Sequence, residues 1–193
     1  MKNSLSDIPI ELIIHNDLKC YVSSGYGGKN IKTWPFYKFI KILIKGDFKL
    51  ARILWIDWLV NEFFKYNSHS KFIGGMYHGS VHQYALLNIK ENKNYYWKNP
   101  KLLKDENVRE GAKILVDKRI KMINSILNKG YQINKDDPII AVSANDKYVL
   151  KGGHHRAVVM YVLGHNSLPG TIVYSKTFWE CKTWLSKITN FLS

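Results

Sequence analysis

The sequence predicts an α+β protein: a small mixed sheet drawn from residues 84–174, its helices, and a helical N-terminal extension over residues 1–83 that packs on it. Three observations predict this. Apolar residues recur every three or four positions in two stretches, Ala51, Leu54, Trp55, Trp58, Leu59 and Phe63, then Val116, Ile120, Ile123 and Leu127, which lines one helical face each time. Pro138-Ile139-Ile140-Ala141-Val142 and Tyr148-Val149-Leu150 flank the turn-forming Ser143-Ala144-Asn145-Asp146 and read as a pair of short strands. The second strand runs straight into a glycine turn and another helix.

With 193 residues, 46% of them hydrophobic, the chain has the material for a buried core, and an ordered fold is expected. No segment approaches the roughly 18 uninterrupted apolar residues of a membrane span, and the first residues lead into Asp7 and Glu11 rather than a signal-peptide core. A soluble cytoplasmic protein is expected. Cys20 and Cys181 stand alone, without the spacing of a disulfide framework or a zinc site, so no metal centre is assigned. The formal charge of +14 draws anions. It comes almost wholly from dispersed lysines; Arg52, Arg109, Arg119 and Arg156 are the only arginines, few for base readout, so phosphorylated small molecules fit better than nucleic acid.

Along the chain, residues 23–28 are a glycine-serine loop, Trp34-Pro35 opens a helix that runs to Ile44, and Gly46 breaks it. Asp47 is placed to cap the second helix, whose Trp55/Trp58 face is core. Residues 72–80 read as a glycine-rich loop and seam. Residues 84–89 read as a strand and residues 90–104 as a long excursion. Asn107 with Glu110 fits a capping box for a helix that stops at Lys129-Gly130. After the strand pair come a helix from Arg156 to Leu163 stopped by Gly164, a strand at residues 171–174, and a closing helix with Phe178, Cys181, Leu185, Ile188 and Leu192 on one face.

The order strand, Lys151-Gly152-Gly153-His154-His155-Arg156, helix has a chemical meaning. Glycine lets the backbone approach an anion, the helix start presents amide hydrogens and the positive end of its dipole, and Arg156 with the two histidines adds side-chain donors. A phosphate fits there; so does an ordinary tight turn.

The ordered set Ser125-Ile126-Leu127-Asn128-Lys129-Gly130, Pro138-Ile139-Ile140-Ala141-Val142, Gly153-His154-His155-Arg156-Ala157, Leu163-Gly164 and Leu168-Pro169 resembles the ParB N-terminal/sulfiredoxin superfamily, over less than half of the chain. The resemblance implies a ParB/sulfiredoxin-like domain over residues 84–193 and a nucleotide-binding role for Gly152, Gly153, His154, His155 and Arg156. Sulfiredoxins and the related free-serine kinases hold ATP or ADP there, and ParB proteins hold CTP; magnesium would accompany the nucleotide. The match is incomplete. His154 stands where sulfiredoxin has its catalytic cysteine, Gly152 where the serine kinases have an acid, and His155 at an arginine position of ParB, and no DNA-reading domain is expected in the residues after 174.

What the resemblance implies is phosphoryl transfer from ATP or ADP to a small hydroxylated acceptor, an amino acid, sugar or surface-glycan precursor. The alternative is a ParB-like regulator that binds nucleotide or DNA without turnover. For the transfer, Glu91, the nearest positional match to a glutamate after the first strand, is the candidate base, with His154 or His155 facing the phosphate. Asp105 and Glu106 are weaker candidates. His78 and His82, four apart, would share a metal only in a helix, which the neighbouring glycines oppose. His15, His69 and His165 read as surface or turn residues.

Overall fold

The computed structural model describes residues 6–14, 30–34, 36–67, 76–133, 139–144, 147–150 and 153–174. The expected loop at residues 23–28, Pro138, the Asn145-Asp146 turn, Lys151, Gly152 and the closing helix at residues 178–192 lie outside them, as do His15 and His69.

The two short apolar runs pair as the sequence predicts. β3 (Ile140–Ala144) and β4 (Lys147–Leu150) are antiparallel, with Val142 in register with Val149 and Ala144 with Lys147. β5 (Ser167–Tyr174) lies parallel to the other side of β3, and the Thr171 amide donates to the Ile139 carbonyl at 2.8 Å. The edges are closed from the other end of the chain. β1 (Ser6–Pro9) runs antiparallel to β5 and β2 (Ile13–Ile14) parallel to β4, giving the order β1-β5-β3-β4-β2. The sheet is mixed, as expected, but it is not drawn from residues 84–174 alone. Strands of four and two residues are too short to carry a period-2 signal. Burial of Ile8, Ile10 and Ile13 holds them in place.

α1 (Tyr37–Ile44) and α2 (Phe48–Asn67) meet at Gly46, whose φ of +98° suits a residue without Cβ. There the Gly46 amide donates to Leu43 and the Asp47 amide to Ile42, closing the first helix. The Asp47 carboxylate then accepts from the Leu50 amide at 3.0 Å and opens the second, the cap that the sequence predicts. Of the predicted stripe, Ala51, Trp55, Leu59 and Phe63 are buried and Trp58 is partly so, whereas Leu54 is 39% exposed. The stripe does pack on the C-terminal half: Trp55 stacks with Phe39 and meets the His155 ring at 5.7 Å.

Residues 76–89 correct two expectations. α3 (Met76–Ala85) runs through His78 and Gly79, so the second half of the predicted glycine loop is helical, and the turn at residues 86–88 replaces the strand predicted at residues 84–89. The cause is tertiary. α3 lies so close to α5 (Asp105–Lys129) that a Cβ on Gly111 would sit 2.6 Å from both the Ala85 nitrogen and the Val81 oxygen. A glycine inside a helix costs about 1 kcal/mol relative to alanine, and this docking offsets that cost at Gly79.

α5 also starts two residues before the predicted box. Lys104 holds the cap position without a side-chain bond, and Asp105 and Glu106 lie in the first turn, where carboxylates favour the dipole. Bidentate Arg52–Asp117 and single Arg109–Asp57 pairs, each with a shortest contact of 2.6 Å, join α2 to α5. α4 (Lys93–Lys98) interrupts the expected excursion. The protein is mixed α+β and mostly helical, and no helix among the described residues is long and apolar enough to cross a membrane.

Candidate functional site

β4 ends at Leu150 and α6 (His154–Val162) begins at His154, so a helix follows the strand as the sequence predicts. Gly153 caps the helix in the left-handed region, φ +81°. A Cβ there would lie 2.7 Å from Ile139 Cγ1 and 3.3 Å from an Arg156 guanidinium nitrogen, so Arg156 folds back over the glycine. The helix ladder opens with the Ala157 amide donating to the Gly153 carbonyl. The amides of His154, His155 and Arg156 precede it and project from the helix start.

The two histidines do not face outward with Arg156. His154 is 3% exposed and its ring lies 5.5 Å from Trp34. Burial, assisted by the positive charge of Arg119, pushes its pKa down to about 4 against a backbone hydrogen bond at Leu150, so it is neutral at pH 7. His155 stacks on Phe36. Both rings thus pack against aromatic side chains of the N-terminal part. α6 buries His154, His155, Ala157, Val158, Val159 and Met160, and Arg156 is the part-exposed residue of its first turn.

Sequence reasoning missed Arg119, which α5 brings beside His154. Its Nε is buried with no hydrogen-bond acceptor among the described residues. Arg52 and Arg109 pair with Asp117 and Asp57, Arg156 lies against Gly153, and Arg119 acts through its charge on the buried His154. The scarcity of arginine was the one sequence signal for this, and without the fold it pointed nowhere.

Glu91 is exposed in the connection between α3 and α4, and no described hydrogen bond, ion pair or ring contact joins it to the turn. The strand expected to carry it beside the turn is absent. α3 meets α5 at Gly111, eight residues and so about 12 Å along the helix from Arg119. Asp105 and Glu106 lie further still along α5.

His78 and His82 share a helix after all, and the side chain of His78 lies outside the described residues. His82 is 1% exposed, stacks on Trp97 at 4.9 Å and 10°, and its Nε2 lies 3.1 Å from the Tyr96 carbonyl. It locks α3 to α4. Among the described residues no three His, Cys, Asp or Glu side chains converge as a metal site.

The chain matches no protein-family model, no curated protein and no solved structure.

Proposed function

We propose that the turn before α6 binds the phosphates of a nucleotide, ATP or ADP with magnesium or alternatively CTP, and that the protein transfers a phosphoryl group to a small hydroxylated acceptor. The observation that carries the binding half is the placement of Arg156 over Gly153 at the start of a nine-residue helix. Amides, dipole and the Arg156 guanidinium then face one anion. The role of His154 and His155 in this reading is to hold the helix start rigidly against Trp34, Phe36 and Trp55.

The catalytic half rests on the resemblance of residues 120–174 to ParB/sulfiredoxin-like proteins. A specific observation favours the second reading, a nucleotide-binding regulator without turnover: Glu91, the candidate base, is not joined to the turn by any described contact. Calorimetric titration with ATP, ADP and CTP tests the binding half. A turnover assay across amino acids, sugars and glycan precursors, run beside Glu91→Gln, separates the two readings. A loss of about 10²–10⁴ in that variant identifies Glu91 as the base, and nucleotide binding without consumption by the wild type decides for the regulator.

A further inference from the structure

At the other end of α6 a cleft of about 700 Å³ opens between the first strand, the 3₁₀ turn Ile31–Thr33 and the start of β5. Its volume lies in the range of small-molecule sites. Buried Ile10 and Ile31 and the Tyr161 ring give it an apolar floor, and the bond from the Ile10 amide to the Asn166 carbonyl at 2.9 Å fixes one wall to the next.

The charges around the cleft are divided by sign. Asp7 and Glu11 line it from β1 and the turn that follows, and among the described residues neither carboxylate has a hydrogen-bond or ion-pair partner. Lys32 lines it from the 3₁₀ turn, its Nζ 5.7 Å from the Tyr161 ring centroid. Tyr161 shifts the Lys32 pKa upward, and a lysine side chain is cationic at pH 7 in any case.

We propose that this cleft binds a small zwitterion, its ammonium group held by Asp7 and Glu11 and its carboxylate by Lys32. An anion alone meets two uncompensated carboxylates there and a cation alone meets Lys32. A molecule carrying both charges satisfies each with its opposite. The cleft lies eight residues along α6 from the turn, about 12 Å, so it is a separate site and does not depend on the nucleotide reading.

Saturation-transfer NMR with each of the twenty standard amino acids, followed by calorimetry on the strongest binder, tests this on the full chain. At least one amino acid should bind with Kd near or below about 1 mM. Asp7→Asn/Glu11→Gln and Lys32→Met should each weaken it about tenfold with an unchanged melting temperature, and its analogue lacking the amine should bind about tenfold more weakly. Nucleotide affinity, measured in the same variants, should not move. Absence of binding by all twenty, or wild-type affinity in the double carboxylate variant, overturns the proposal.

Discussion

The His155 ring lies 4.3 Å from the Phe36 ring at 27°, and Trp55 closes on it from α2 at 5.7 Å. A polar residue at a glycine turn, the natural candidate for a ligand contact, is thus part of the aromatic interface between the N-terminal helices and the helix that the turn starts. Truncating Phe36 to alanine opens that interface. Removing a buried phenylalanine costs about 3–5 kcal/mol, so Phe36→Ala should lower the urea midpoint by that equivalent, measured by circular dichroism. A loss below about 1 kcal/mol would mean that the stack is incidental.

Arg156 reaches the turn from a part-exposed position, so its loss should show in binding rather than in folding. A charged hydrogen bond contributes about 1.5–3 kcal/mol, and Arg156→Ala should weaken nucleotide binding by roughly one to two orders of magnitude in calorimetry. Unchanged affinity would remove the site.

Buried, neutral His154 makes the fold sensitive to acid. Its folded pKa of about 4 lies below the unfolded value near 6.5, so between them the unfolded state binds more protons. Its neutral form is fully accommodated above about pH 6.5, and stability falls as pH drops toward 4, by an amount on the order of 3 kcal/mol. His82, depressed by burial, adds in the same direction. Urea melts at pH 7 and pH 4.5 should therefore differ less in His154→Phe than in the wild type. An identical difference would show that acid acts elsewhere.

Gly111 is the point where α3 and α5 touch backbone to backbone. A methyl group there meets main-chain atoms that cannot rotate away, and overpacking of this kind costs about 1–3 kcal/mol. Gly111→Ala should lower the thermal midpoint, whereas Gly164→Ala, with open space around its Cβ position, should lose only what its positive φ demands, about 1 kcal/mol.

Much of the fold was legible from local chemistry. Asp47 and Gly46 punctuate α1 and α2, the paired runs around residues 143–146 form the β3/β4 hairpin, Gly130 and Gly164 end their helices, and Gly153 starts the next, because caps, positive-φ glycines and apolar spacing are decided by neighbours in sequence. At the candidate site the order of strand, glycine and Arg156 was legible for the same reason. Which way each side chain turns could not. His154 and His155 face inward because α1, α2 and the turn before them bring Trp34, Phe36 and Trp55 over the helix, and Arg119 arrives on α5; these contacts join residues far apart in the chain. The same holds for β1 and β2, too short to read alone, and for residues 84–89, whose apolar run became the end of a helix and a turn once Gly111 let α3 lie against α5. Local sequence determined where elements start and stop, and long-range packing decided which faces they bury and therefore which residues remain to meet a ligand.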